Sequence, residues 1–423
     1  MAEYIRMNRN ALEKEYQAVR KEYQAQQNLR LNLNMARGKP GSEQLALVSD
    51  ILHLVPPEEA LGSGVRDVRN YGMLSGLPEA KNLFAELLGC KASQCFIGGN
   101  SSLQLMYQIV SFGYQFGLLR SPRPWREESC IKWLCPVPGY DRHFRITELL
   151  GIKMINIPML PTGPDMDLVE ELIKDPQVKG MWCVPKFSNP DGIIYSEETI
   201  DRIAALHPAA EDFTVMWDNA YCVHEFEGEY QPFRDILSLA AEQGNPHMVV
   251  EFSSTSKITF PGAGVSVMAA SEENIAYFES LYSAQIISFD KLNQLRHVLY
   301  LKDRDHTLSL MRKHGQILKP RFDCVLDALE REIGPRGLAR WQRPKGGYFV
   351  SVYTLPGLAK RTLEYCTRAG VVMTAAGATY PYGLDPEDSN LRIAPSFPPV
   401  DELEKAMHVF CLSLRLAALE QML

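Results

Sequence analysis

None of the nine cysteines forms a Cys-x-x-Cys pair, and none of the nine histidines falls into His-x-x-x-His or His-Glu-x-x-His. Those absences remove the signatures of zinc ribbons, zinc proteases and dithiol redox centres. Cysteines 90, 95, 130, 135, 183 and 222 lie in or beside apolar runs. The odd total of nine and these apolar surroundings point to reduced thiols in a cytoplasm rather than a disulfide frame. No apolar stretch approaches the roughly 18 uncharged residues that a membrane helix needs. Met1 to Arg30 is charged and glutamine-rich, so no signal peptide is expected. Basic residues are not in excess either. With 44 Lys and Arg against 51 Asp and Glu, the net charge is −7, which offers no footprint for nucleic acid or an anionic membrane.

What is present is ordinary globular material: 423 residues, 46% hydrophobic and 22% charged. That length predicts two domains and the charge balance a small-molecule partner. Asn8 to Leu29 reads as a polar helix, an appendage followed by a loop at Ala36–Gly41. Short apolar strand candidates then recur at Cys95–Ile97, Ile131–Cys135, Met154–Ile157, Gly180–Val184, Thr214–Trp217, Met248–Phe252 and Val265–Ala269. Helical candidates lie between most of them: Ser102–Leu119, Arg142–Leu150, Asp167–Ile173, Glu197–Leu206 and Glu272–Leu281. Buried strands separated by helices predict a mostly parallel seven-stranded sheet in an α/β domain. One long helical stretch is expected over Lys291–Glu332, then a smaller α+β unit closed by a helix from Val400 to Leu416. Ser121–Glu128 reads as a surface excursion. The expected division is an N-terminal helix and arm at 1–45 on the small domain, a large domain at 46–290 and a small domain at 291–423.

Five segments carry possible chemistry. Lys257 closes Ser254-Thr255-Ser256-Lys257 directly after an apolar strand candidate; desolvation there lowers an amine's pKa and frees it to condense with an aldehyde, although most lysines at strand ends are solvated charges. Gly98-Gly99-Asn100-Ser101-Ser102, between strand and helix, suits either an anion site or a plain turn with a serine cap. Ser188-Asn189-Pro190-Asp191-Gly192 makes a good turn with or without a ligand. Asp218 ends an apolar strand where a carboxylate needs a cation or a capping role, and Tyr221 follows three residues later. Arg392, flanked by apolar residues, suits a carboxylate or a structural ion pair. Arg37, beside Gly38 and Lys39, is a weaker anion contact.

In order and spacing these segments resemble the class I and II aminotransferases of fold type I pyridoxal-phosphate enzymes, in the aspartate aminotransferase-like branch related to the aminotransferase domain of MocR regulators. The resemblance runs from about Leu31 onward. It implies pyridoxal 5'-phosphate as cofactor, with Lys257 as the amine that holds its aldehyde, Asp218 against the ring nitrogen, and Asn189 and Tyr221 on the ring oxygen. It further implies Ser101, Ser102, Ser254 and Ser256 as phosphate ligands, Arg392 on the substrate α-carboxylate and Gly38 against the substrate. Tyr71 matches a tyrosine passed to the neighbouring subunit's phosphate, which implies a homodimer with shared active sites. Two departures stand out. Where the family has a phosphate-binding arginine, this chain has Gly264 and Val265, leaving Lys291 or Arg296 as substitutes. Where the family has its ring-stacking aromatic, this chain has Val137, leaving Tyr140 for that role with His143 behind it.

The function expected from the resemblance is amino-group transfer between an amino acid, aspartate or glutamate among the candidates, and a 2-oxo acid. A C–S β-lyase of the same fold is the alternative. A regulator that senses the cofactor is less favoured, because the roughly thirty residues before Leu31 are too few for a winged helix.

Overall fold

The computed structural model describes residues 4–423. Its main sheet runs, in spatial order, Cys95–Ile97, Ser266–Ala269, Val249–Ser254, Thr214–Asp218, Val178–Cys183, Lys132–Val137, Lys153–Leu160 and Gly163–Pro164. All seven expected strands are present, and the two-residue Gly163–Pro164 adds an antiparallel eighth at one edge. The five from Val249–Ser254 to Lys153–Leu160 are mutually parallel, whereas Ser266–Ala269 runs antiparallel to both of its neighbours.

Side chains alternate across this sheet between two cores. Leu134, Met181, Val215, Trp217 and Val249 face Leu83, Phe84, Ile200, Ile203 and Leu237. Trp133, Trp182, Met216, Val250 and Phe252 face Leu105, Ile109, Trp125 and Phe278 on the other side. Burial on both faces explains why these strands read as continuous apolar runs rather than alternating ones.

A third core lies elsewhere in the chain. A three-stranded antiparallel sheet, in the order Ala339–Trp341, Val350–Thr354, Asn390–Ile393, packs with Phe322, Val325, Leu403, Met407 and Phe410. The N-terminal helix Arg9–Asn28 joins it through Leu12, Val19 and Tyr23. Asn8 starts that helix by accepting the Ala11 amide at 3.0 Å, and the Tyr23 hydroxyl donates to the Tyr365 carbonyl at 2.8 Å. Glu15 accepts from both Tyr4 and Arg415, at 2.8 and 2.9 Å. The helix is therefore polar outside and anchored inside. Leu33–Asn34, in the segment leading to the Ala36–Gly41 loop, pairs in parallel with Val371–Val372.

Three expectations need correction. The stretch 291–332 forms two helices, Lys291–Leu301 and Arg304–Glu332. Lys302 takes φ +60° between them, and Asp303 caps the second by accepting the His306 amide at 2.7 Å. Apolar periodicity continued across a strong local cap, and the cap prevailed. Ser121–Glu128 is not a simple surface excursion, because Trp125 is fully buried and donates its indole N–H to Asp212 at 2.7 Å. Asp212 also receives Ser121 Oγ at 2.6 Å and Lys179 Nζ at 2.9 Å, so this loop is pinned through a buried ion pair. The last helix extends beyond Leu416 to Met422. Among the described residues no helix is long and apolar enough to cross a membrane.

Candidate active site

The parallel strands Val178–Cys183, Thr214–Asp218 and Val249–Ser254 lie side by side, so their carboxyl ends deliver the 185–192 turn, Asp218 and the 254–257 turn to one edge of the sheet. A crevice beyond the carboxyl ends of such strands is where open α/β sheets bind ligands. Lys257 closes the short 3-10 turn Thr255–Lys257, which Ser254 caps by accepting the Ser256 amide. Its Nζ lies 4.8 Å from the centre of the buried Tyr221 ring and 5.9 Å from that of Tyr348. Burial pulls the Lys257 pKa below the ordinary lysine value, and the negative charge of Asp218 opposes that shift in part. The amine is thereby biased toward its neutral, nucleophilic form.

Asp218 is 4% exposed. Its Oδ2 lies 3.0 Å from His143 Nε2, and its buried Oδ1 has no partner in the chain. His143 is itself held by rings, stacked on Trp182 at 4.5 Å and 12° and met edge-on by Tyr140 at 4.9 Å. A buried carboxylate oxygen without a donor is costly, and a cationic ring N–H would relieve it. The pyridine nitrogen of pyridoxal phosphate is such a group, so the donor set fits the cofactor at this end. Tyr140 and Tyr221 complete the surroundings. Burial, reinforced by the Asp218 charge, pushes the Tyr140 phenol up to about 12. Burial, with the neighbouring Tyr140 and Asp218, also raises Tyr221 well above the ordinary phenol value. Both phenols therefore stay protonated and able to donate.

At the anion end, Ser101 occupies the cap position of helix Ser102–Phe116, yet its hydroxyl makes no capping bond. Of the two readings of this loop, the plain serine cap is the one the geometry does not support. Ser256 Oγ donates to the Asn100 carbonyl at 3.3 Å and Ser254 Oγ to Ser256 Oγ at 3.0 Å, which ties the lysine turn to the glycine-serine loop. The four serines and a 15-residue helix start thus share one neighbourhood suited to phosphate. Among the described residues no Lys or Arg hydrogen-bonds to any of these serines. Lys291 instead donates to the Asp67 carbonyl at 2.8 Å. Arg296 is half-buried, with its Nε unpartnered.

Arg392 lies on the strand Asn390–Ile393 and is 7% exposed. Its Nη1 donates to Asn189 Oδ1 at 3.1 Å and Asp141 Oδ1 at 2.9 Å, its Nη2 to Thr374 Oγ1 at 3.3 Å. The guanidinium also lies over the Phe349 ring, 4.9 Å from its centre. Gly38 presses on that same ring. A Cβ at position 38 would fall 2.4 Å from Phe349 Cζ, so only glycine lets the loop approach. Tyr71 stands apart from this group. It is 73% exposed and borders a separate cavity of about 390 Å³ with Phe289, Asp290 and Lys291.

Tyr348, Phe349, Asp141, Thr374 and Trp182 escaped the sequence reading. The Gly346-Gly347 pair was the available signal for the first two. A Cβ on Gly346 would meet Phe187 at 2.4 Å and the His224 carbonyl at 2.5 Å, and the backbone approach that this permits seats the aromatic pair beside Lys257 and Arg392. Asp141 and Thr374 carry no local signature, because each acts only through contact with a distant strand.

A family profile described as aspartate amino-transferase matches residues 7–423. An aspartate aminotransferase of Corynebacterium glutamicum is 44% identical over 405 residues, 96% of this chain and 94% of its own length. The crystal structure of an aspartate transaminase from C. glutamicum superposes with a TM-score of 0.95 at 43% identity, covering 98% of each chain. The α-aminoadipate aminotransferase LysN of Thermus thermophilus, complexed with N-(5'-phosphopyridoxyl)-L-leucine, shares the fold at a TM-score of 0.74 and 21% identity over 96% of each chain.

Proposed function

From the premise that this chain belongs to the aspartate amino-transferase family, we propose a role for each residue around Lys257. The protein is a pyridoxal-phosphate-dependent aminotransferase that moves an amino group between an amino acid and a 2-oxo acid. Bound pyridoxal phosphate supplies an aldehyde and a ring that accepts the electron pair left when the substrate's Cα–H bond breaks. Lys257 Nζ would hold the aldehyde and, when free, would be the base that takes the substrate's Cα proton. Asp218, oriented by His143, would meet the ring nitrogen through its unpartnered Oδ1. Tyr221 and Asn189 would donate to the ring oxygen, and Tyr140 would take the stacking role. Ser101, Ser102, Ser254 and Ser256 hold the phosphate, with Lys291 or Arg296 in place of the missing arginine. Arg392 receives the substrate α-carboxylate and Gly38 borders the substrate. Arg392 thereby decides which Cα bond is presented for cleavage, a matter of orientation rather than of added reactivity.

The glutamate and 2-oxoglutarate pair, and aspartate, are the proposed substrates, in keeping with the C. glutamicum relative's name. The proposed organisation is an arm at 1–45, a large cofactor-binding domain at 46–290 and a small domain at 291–423. Two subunits would share their sites, each passing Tyr71 to the other's phosphate. The observation that carries the reading is a buried amine whose pKa is lowered by burial and which feels the charge of a buried, half-satisfied carboxylate. Lys257→Ala is expected to lose both the visible absorbance of bound cofactor and amino-group transfer from a panel of amino acids. Retention of either by a folded variant would refute the assignment. The sign of the pH dependence follows from the lowered pKa: reaction of the cofactor-free protein's Nζ with added pyridoxal phosphate should quicken as pH rises and Nζ deprotonates, in a range below that of a solvated lysine.

A further inference from the structure

We propose that Asp141 sets the threshold for carboxylate binding, as an internal carboxylate that competes with the substrate's α-carboxylate for Arg392. The proposal rests on the role given to Arg392 above. Asp141 Oδ1 sits 2.9 Å from Arg392 Nη1, which also serves Asn189 at 3.1 Å, so this nitrogen is fully used before any ligand arrives. Nη2 has only a long 3.3 Å bond to Thr374, and Nε is buried with no acceptor. A fork with one saturated nitrogen and two underused ones is incompletely matched by its internal partners. Its charge is nevertheless already balanced by Asp141, so an incoming carboxylate meets a neutralised guanidinium.

Asp141 is also placed to leave. Its side chain is 31% exposed against 7% for Arg392, so the acid lies toward solvent and the base toward the interior. Its second oxygen lies 4.0 Å from Nε of Arg142, whose side chain is 55% exposed and offers a second cation when the first is taken. Asp141 is the first residue of helix Asp141–Leu149, a position that favours a negative charge in either orientation. A ligand carboxylate can therefore displace it by side-chain rotation alone, with the backbone of Tyr140 and the helix unmoved. The consequence is a raised threshold for binding. A lone carboxylate competes poorly, whereas an α-amino or 2-oxo acid, anchored by further contacts in the site, displaces Asp141. The same competition speeds release of the product acid.

A merely structural role makes the opposite prediction, because an arginine that needs Asp141 to hold its pose binds carboxylates less well without it. Asp141→Asn keeps the acceptor and the size and removes only the charge. Titrating the holoenzyme with propionate, an unreactive monocarboxylate, is expected to show binding roughly threefold to tenfold tighter in Asp141→Asn than in the unaltered protein. KM for both the amino acid and the 2-oxo acid should fall by a similar factor, and Asp141→Glu should return both towards the starting values. Unchanged or weaker propionate binding in a protein that still transaminates would overturn the inference alone. Failure of the unaltered protein to transaminate any amino acid would instead overturn the reading on which it rests. Should the Asn variant not fold, the same titration on Asp141→Ser decides in the same way.

Discussion

At the scale of single residues, Asp218 illustrates how an apparent defect marks a function. One of its oxygens is satisfied by His143 and the other is buried without a donor, an arrangement that a purely structural carboxylate would not keep. Its neighbours are chosen for rigidity: His143 cannot turn without breaking its stack on Trp182. Asp218→Asn preserves the shape and removes the charge that a ring cation would meet. It is expected to lower kcat by about 10²–10³, the size of effect seen when a preorganised electrostatic partner is lost. Circular dichroism should show an intact fold, and an unchanged kcat would remove Asp218 from the chemistry. The residue types and their order along the chain were legible here, and the fold brings Lys257 beside the Tyr221 ring and within the influence of the Asp218 charge. Asp141 was not, because its meaning comes from a partner 251 positions away.

At the scale of elements, strand Val249–Ser254 carries a cost of its own. Glu251 is 2% exposed between a parallel neighbour at Trp217 and an antiparallel one at Ala269, with Asn219 Nδ2 donating to its Oε1 at 2.9 Å. Burial pushes its pKa from 4.5 to about 8, against the smaller stabilising pull of Asn219. The folded state therefore binds a proton that the unfolded chain releases between those two values, and stability contributed by this group falls as pH rises through that window. Glu251→Gln, neutral throughout, is expected to gain on the unaltered protein from pH 5 to pH 8 by an amount on the order of 2–4 kcal/mol. Chemical denaturation at the two pH values measures it, and a constant difference would show that Glu251 does not carry its proton. Strand positions were legible because the central strands Val178–Cys183, Thr214–Asp218 and Val249–Ser254 are buried along their whole length. Helix limits were less so, since Asp303 and Lys302 end one helix and begin another by a cap that periodicity cannot register.

At the scale of the whole molecule, helix Arg304–Glu332 links two cores. Leu310 and Met311 belong to the main sheet's core, and Leu318, Phe322 and Val325 to the core built with the N- and C-terminal helices. Asn189 and Arg392 meet across that same division, so the proposed site draws on elements anchored in both cores. The exposed Tyr71 adds a further level, that of the proposed dimer. Mixed dimers of Lys257→Ala with Tyr71→Ala should contain one site with both residues intact. Cofactor affinity and activity lost in each variant alone are therefore expected to return in part on subunit exchange. Mixtures no more active than the sum of the two variants would place Tyr71 outside any shared site.

Local chemistry determined what could be read without coordinates: apolar runs long enough to be strands, small polar residues at their ends, and an amine, a carboxylate and a phenol at fixed intervals after them. These depend on steric and solvation preferences that act over a few residues. Only the tertiary structure decided that Asp141 shares a nitrogen with Asn189, that Trp125 is interior, and that Phe349 separates Gly38 from Arg392. Those relations exist only when distant strands are brought within a few ångströms, because hydrogen bonds and close packing act over that range and no sequence interval encodes it.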